Sequence, residues 1–275
     1  MADLIIGENS NLVKQEIITQ RGGFGGVSDK YISISTQDVM DIITKVEPEA
    51  KITGWLNSGT TIKGKENFVK HAMMIRMPDS ELISGVHSNV VLFNSSDRSS
   101  ALKMYSGAFR AVCSNGIVFS DSGEDMESLS IKHLMKEWRS KVFEFMMAYR
   151  ENQVKQRQMV EAMKGRYMSF GDMAKLAERA TEEILNPITT GTVVDPIQLT
   201  VAKRAEDKHK DLWTTFNKIQ EHILQGGINR VIEKTDEDDT QGRLIQFESD
   251  THRIRDPKKQ IKVNRDLHKL ALEFL

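Results

Sequence analysis

The apolar residues of this chain change their spacing near its middle. Before about residue 125 they come in short runs broken by turn residues. Lys51 to Leu56 stops at Asn57-Ser58-Gly59, and Thr60-Thr61-Ile62 is broken by Gly64-Lys65. Phe68 to Met77 stops at Pro78-Asp79. Val86 to Phe93 runs into the polar stretch Asn94 to Ser100, and Ala101 to Tyr105 follows. Runs of this length between short turns predict the strands of an antiparallel meander. A short helix precedes them, capped by Ser35 or Thr36, with Val39, Ile42, Ile43 and Val46 on its apolar face. Phe109 and Arg110 are expected on a helical turn. Asn115-Gly116 is a strong turn signal that leads into one more strand, Ile117-Val118-Phe119.

From Met126 the period becomes helical. Leu129, Leu134, Trp138, Val142, Phe145, Met146 and Tyr149 recur with almost no breaker as far as Lys164, which predicts one long helix. A second helix, Ser169 to Leu185, turns Met173, Leu176, Ala177 and Ala180 inward and ends at Pro187. Asp195-Pro196 opens another. The most informative stretch is Asp211 to Gly227. Leu212, Phe216, Ile219 and Ile223 share one helical face, and Gly226-Gly227 supply the left-handed stop. The neighbouring face, Trp213, Asn217, Gln220 and Glu221, sets amides and a carboxylate beside an aromatic ring. It either reads a polar partner or is shielded by another helix. Arg230 to Arg255 is hydrophilic, with an acidic run at Asp236 to Asp239, and is expected to be a mobile loop or hairpin. Gln260 to Leu275 closes the chain as a helix with Ile261, Val263, Leu267, Leu270 and Phe274 apolar. The expected class is α+β: an antiparallel β-meander in the N-terminal half, then a mainly helical C-terminal half. Its parts are a flexible segment 1–30 anchored by Phe24, a β-rich region 31–125, and a helical region 126–275 carrying the mobile acidic loop around 230–255.

Charge and cysteine usage narrow the function classes. The 275 residues carry a net charge of -1, so no bulk field draws the chain to nucleic acid or to an anionic membrane. A nucleic-acid site has to be a local basic patch or form on assembly. Cys113 is the one cysteine, which excludes an internal disulfide and leads us to expect a reducing, cytoplasmic setting. No apolar run reaches the roughly 18 residues of a membrane span, and no signal peptide is evident. Fourteen methionines suit either adaptable interfaces or ordinary core filling.

Candidate chemistry is sparse. Cys113 is either a nucleophile or a small buried hydrophobe. The glycines of Arg21 to Gly26 lack the strand and helix of a phosphate cradle. The histidines are scattered, and Asp207, His209 and Asp211 do not share a helical face, so neither metal, cofactor nor catalysis is expected. Lys132, Lys136 and Arg139 are spaced to form one stripe on the long helix. His252, Arg253, Arg255, Lys258, Lys259, Lys262, Arg265, His268 and Lys269 form a basic tract near the end. These cations either neutralise phosphates, with Trp55, Phe93, Tyr105 and Phe109 as stacking partners, or make a solvated face paired with the acidic loop. Arg110 is expected near one end of the sheet with Asn94 and Asn115, where it contacts phosphate or braces the turn.

Three segments in combination resemble a family of phage, prophage and plasmid-leading-region proteins of uncharacterised function, the YubP and YfjQ type. They are Val90 to Asp97 continuing through Phe109 to Gly116, then Asp211-Leu212-Trp213 to Gln220-Glu221 and Gly226-Gly227, then Ile261 to Leu267. The resemblance covers roughly residues 30 to 275 and implies an origin on a mobile element. It marks Asn94, Cys113, Asn115, Gly116, Trp213, Gln220, Glu221 and Gly226 as structural motif residues. A meander followed by helices is also broadly similar to the single-strand annealing proteins of the RecT and Red-beta kind. Those bind single strands in a basic groove and assemble into rings or filaments. The expectation is a non-catalytic homo-oligomer that binds single-stranded DNA in recombination or replication, with Arg110, Lys132, Lys136, Arg139, Lys262 and Arg265 on the strand. The alternative is an interaction protein that binds and blocks a host defence protein, its acidic loop imitating a nucleic-acid surface.

Overall fold

The computed structural model describes residues 5–6, 15–25, 28–57, 60–83, 85–110, 128–235, 244–254 and 257–275. By packing it divides into two compact units, Met1–Gln158 and Met159–Leu275. The class is α+β, an antiparallel sheet followed by a mainly helical region. The expected sites Cys113, Asn115 and Gly116, and the acidic run Asp236 to Asp239, lie outside the described residues.

The first unit holds β1 (Ile5–Ile6), α1 (Gln15–Ile18), α2 (Thr36–Val46), β2 (Lys51–Asn57), β3 (His71–Ile83), β4 (Val86–Asn94), β5 (Leu102–Arg110), β6 (Ser128–Ile131) and most of α3 (Trp138–Gly165). The strands form one antiparallel sheet in chain order. Ser35 caps α2 by accepting from the Asp38 N–H at 3.0 Å. Alternation along the strands turns Met73, Ile75, Val90, Leu92, Leu102 and Met104 to one side. They share a core there with Val39 and Ile43 of α2 and with Trp138, Val142, Phe145, Met146 and Tyr149 of α3. Within the segment expected to be flexible, Ile17 and Ile18 join this core. Phe24 anchors as expected: its N–H donates to the Ser96 carbonyl at 3.1 Å and its ring lies 5.6 Å from Phe68.

Four local expectations are corrected. Thr60 to Ile62 is not a strand. β3 does not stop at Pro78-Asp79 but runs on to Ile83, because a shift in register between Arg76 and Glu81 absorbs both residues and Asp79 adopts φ 48°. Phe109 and Arg110 are strand, not helical turn, since they pair with His87 and Val86. The long helix begins at Trp138 rather than at Met126, because Ser128 to Ile131 pair with Tyr105 to Leu102.

Polar side chains also tie the sheet to its helices. The Ser88 hydroxyl donates to Gln156 Oε1 at 2.7 Å, Gln156 Nε2 donates to the Ser106 hydroxyl at 3.2 Å, and the Tyr149 hydroxyl donates to the Ser88 carbonyl at 3.1 Å. At the β4 end, Asn94 Nδ2 donates to the Ile34 carbonyl at 2.9 Å and to Thr36 Oγ1 at 3.0 Å. Thr36 Oγ1 lies 2.6 Å from His71 Nε2. Burial pushes His71 down to about 4, against the hydrogen bond to the Val69 carbonyl.

The second unit holds α4 (Phe170–Ala180), which runs through a π turn, Thr181–Leu185, into α5 (Asn186–Ile188). Then come β7 (Thr192–Val193), two 3-10 turns (Pro196–Thr200 and Ala205–Lys208), α6 (Leu212–Gln225), β8 (Asn229–Thr235), β9 (Leu244–Asp250) and α7 (Pro257–Leu272). Ser169 and Asp172 form a reciprocal capping box at the start of α4. The hydrophilic segment after α6 is a hairpin, with Asn229 opposite Asp250 and Thr235 opposite Leu244. Every residue of α6 from Leu212 to Leu224 is buried, so this helix is the unit's axis. Gly226 ends it at φ 76°.

Candidate nucleic-acid interface

The polar face of α6 is shielded, which decides between its two readings. Glu221 takes a forked pair from Arg204, with Nη2 to Oε1 at 2.9 Å and Nε to Oε2 at 3.2 Å. Gln220 Nε2 donates to Asn264 Oδ1 at 2.7 Å, and Asn217 Nδ2 donates to the Trp213 carbonyl at 2.6 Å. Trp213 stacks against Phe216 at 6.2 Å. Burial pulls the Lys218 ammonium below its usual range, while Asp207 and Asp211 oppose the shift. Buried polar groups with partners are architecture, and Gln220 and Glu221 fasten the helix.

One of those partners, Asn264, belongs to α7, and α7 has two unlike sides. Val263, Asn264, Leu267, His268, Leu270 and Ala271 are buried, with the His268 ring edge-on to Phe216 at 6.3 Å. His268 therefore leaves the basic tract. The other side exposes Lys259, Lys262, Arg265 and Lys269. At 100° per residue these four fall within roughly a 120° arc. Asp266 shares that arc, half-buried, and pairs with Lys262 at 2.5 Å and with Arg265 at 3.7 Å. Even so the face keeps a local excess of positive charge on a chain that is nearly neutral overall.

The other expected contacts are arranged differently. Lys132 and Lys136 are exposed but lie ahead of α3, so they share no helical stripe with Arg139. The Arg139 guanidinium sits 4.4 Å from the Trp138 ring centre. Arg110 and Asn94 stand at opposite ends of the β4–β5 hairpin, not at one end: Arg110 is opposite Val86, whereas Asn94 adjoins the connecting loop. The Arg110 and Phe109 side chains are outside the described residues, as are all of Arg255 and the side chain of Lys258. The aromatics expected to stack bases are engaged elsewhere. Trp55 is buried against His71 at 5.1 Å, and half-buried Phe93 meets Tyr105 edge-on at 5.8 Å.

Sequence reasoning missed Tyr167 and Phe170. They are 62% and 71% exposed at the turn that opens α4. By period alone Phe170 belongs to the apolar stripe of Met173, Leu176 and Ala177, so only packing reveals that this first turn stands in water. Among the described residues, no three His, Cys, Asp or Glu side chains are placed to hold a metal ion, and no helix is long and apolar enough to cross a membrane.

The family described as Domain of unknown function (DUF932) matches residues 24–263, and the chain belongs to it. The chain is 26% identical over 219 residues to UPF0380 protein YafZ of Escherichia coli, covering 77% of this chain and 71% of that protein. It is also 26% identical over 172 residues to UPF0380 protein YfjQ of the same organism, covering 60% of this chain and 58% of that one. The second match thus spans less than two thirds of its relative. No solved structure matches.

Proposed function

We propose that this member of the DUF932 family is a non-catalytic protein of a phage or plasmid that binds single-stranded DNA during recombination or replication. The observation that carries the reading is the cationic row Lys259, Lys262, Arg265 and Lys269 along the exposed side of α7. Cations at helical spacing match a run of phosphates, and each phosphate neutralised releases counterions. The buried side of the same helix is fixed through Asn264 and Leu267, so the row sits on a braced element. The test is a fluorescence anisotropy titration with single- and double-stranded DNA at several salt concentrations. Four phosphate contacts on a single strand correspond to a slope of log affinity against log salt of about -3. An affinity that does not change with salt removes the phosphates from the account.

A second reading, an interaction protein that blocks a host defence system, draws support from the first unit. Leu134, Met135, Phe143, Met147 and Val154 are between 38% and 58% exposed. Phe143 also lines a shallow cavity of about 380 Å³, together with Ile42, Lys45, Arg139, Ser140 and Glu144. Phe143, Met147 and Val154 fall on one face of α3, and exposed apolar residues grouped in this way mark protein contacts, whether with a host protein or with a second copy. A mass measurement of the free protein and affinity capture with and without nuclease separate these cases. A stoichiometric host protein that survives nuclease favours this reading over the first.

A further inference from the structure

We infer that Tyr167 and Phe170 form a base-stacking corner of the single-strand site, at the C-terminal end of the α7 row. The inference rests on the DNA-binding reading above and adds to it which part of the nucleotide is recognised. Two large aromatic side chains three residues apart are 62% and 71% exposed, and leaving such rings in water forgoes the free energy of burying them. The backbone beneath them is pinned. Met168 N–H donates to the Lys210 carbonyl at 2.8 Å, and Leu212 N–H donates to the Arg166 carbonyl at 2.9 Å, so Tyr167 faces Asp211 in an antiparallel bridge. The Ser169–Asp172 capping box holds the turn on the other side.

The same turn is joined to α7. Arg166 Nε donates to the Phe274 carbonyl at 2.7 Å, just beyond the helix, and Arg179 of α4 pairs with Glu273. Lys269 is the last cation of the row and lies five residues before Phe274. Lys164, three residues before Tyr167, and Lys210, whose carbonyl takes the Met168 N–H, are exposed. Two acidic side chains adjoin the corner, and both are engaged locally: Asp172, two residues from Phe170, in the capping box, and Asp211, across the bridge from Tyr167, accepting from the Thr214 N–H at 2.7 Å and the Thr214 hydroxyl at 2.9 Å. Exposed rings on a rigid turn, flanked by cations and leading from a phosphate-spaced row, match the chemistry of an unpaired strand. Its bases offer π faces that a duplex keeps stacked inside. A protein partner would meet the rings but has no use for the row, and a duplex would meet the row but has no use for the rings.

The test compares full-length protein and its Tyr167→Ala and Phe170→Ala variants on two labelled probes of equal length, an oligothymidylate and an abasic deoxyribose-phosphate strand. Each variant is expected to lose at least about tenfold in affinity for the oligothymidylate, to leave the abasic strand unchanged, and to keep the salt slope. Tyr167→Phe and Phe170→Tyr, which keep the rings, are expected to bind like the parent. Circular dichroism confirms that each variant folds. An alanine variant within about twofold of the parent on the oligothymidylate overturns the stacking corner, as does an equal loss on both probes. If the parent binds both strands equally but with a steep salt slope, the corner is wrong and the α7 row stands. If the parent binds neither strand at any salt concentration, the DNA reading itself falls.

Discussion

Gln220 and Asn264 face each other across the α6–α7 packing, with the Gln220 Nε2 donating to Asn264 Oδ1 at 2.7 Å and both side chains out of water. Beside the Phe216–His268 ring contact, this bond ties the unit's buried axis to the helix that carries the cationic row. Asn264→Ala strands the Gln220 amide in the interior. The expected cost is about 1–3 kcal/mol, and replacing both residues by leucine is expected to cost less than the sum of the two single changes. Urea unfolding of the two singles and the double measures it. Additive losses would show that the pair does not act as a unit.

Glu221 and Arg204 make the parallel case for charge. Glu221 is buried, while the Arg204 side chain is 28% exposed. Arg204→Ala leaves a carboxylate in a dry setting. We expect a loss of about 2 kcal/mol, below that of a fully buried pair because Arg204 is partly solvated. Glu221→Gln is expected to lower stability and to leave DNA affinity unchanged at temperatures where the variant is folded. A collapse of affinity without loss of stability would move Glu221 from architecture to function.

Gly226 and Gly227 look alike in sequence and differ in the fold. Both have positive φ, 76° and 79°. A Cβ on Gly226 would lie 2.6 Å from the Thr251 carbonyl oxygen and 2.7 Å from the His252 carbonyl carbon, whereas nothing lies within 4 Å of one on Gly227. Gly227→Ala is expected to cost roughly 1–2 kcal/mol for the left-handed backbone alone. Gly226→Ala is expected to cost more, because the clash with backbone has no flexible partner to yield. Thermal unfolding of the two variants ranks them, and the reverse order would refute the close approach.

His71 sets an acid limit on the first unit. Its folded value is about 4 against an ordinary 6.5, lowered by burial. The unfolded chain therefore binds a proton that the folded chain refuses between these two values. Stability contributed by neutral His71 is complete above pH 6.5 and falls as pH drops toward 4, by up to about 3 kcal/mol. Burial also lowers His133 in this unit and His222 in the other, so their contributions carry the same sign. Denaturant midpoints measured from pH 7 to pH 4 are expected to decline, with a shallower decline in His71→Gln. An unchanged slope in that variant would take His71 out of the acid response.

What could be read in the chain depended on how local each signal was. The cap at Ser35, the α2 face of Val39 and Ile43, and the stop at Gly226 are set by residues within a turn of one another, and all three formed as the pattern required. β6 was not legible, because Ser128 to Ile131 is a strand only through its distant partners Leu102 to Tyr105, and Leu129 fits a helical period as well as an extended one. Lys262 and Arg265 were legible as neighbours on one helix. The separation of Arg110 from Asn94 was not, since it follows from the register of a hairpin. Exposure of Phe170 depends on where packing stops along α4, and no spacing rule contains that.

The α7 row gives the sharpest functional prediction, because its residues are the proposed DNA contacts and bear hardly at all on folding. Lys259, Lys262, Arg265 and Lys269 are exposed, and the pairs that Lys262 and Arg265 make with Asp266 are of the surface kind that contributes a few tenths of a kcal/mol. Changing all four to glutamine is expected to leave stability within about 1 kcal/mol of the parent. The same change removes the cations proposed to displace counterions, so the salt slope for single-stranded DNA is expected to shrink by about 2 to 3 and affinity at low salt to fall by at least tenfold. Changing Lys132, Lys136 and Arg139 in the same way separates the two groups of cations. If that second variant loses the slope and the first retains it, the strand lies on the first unit and α7 is a solvated face.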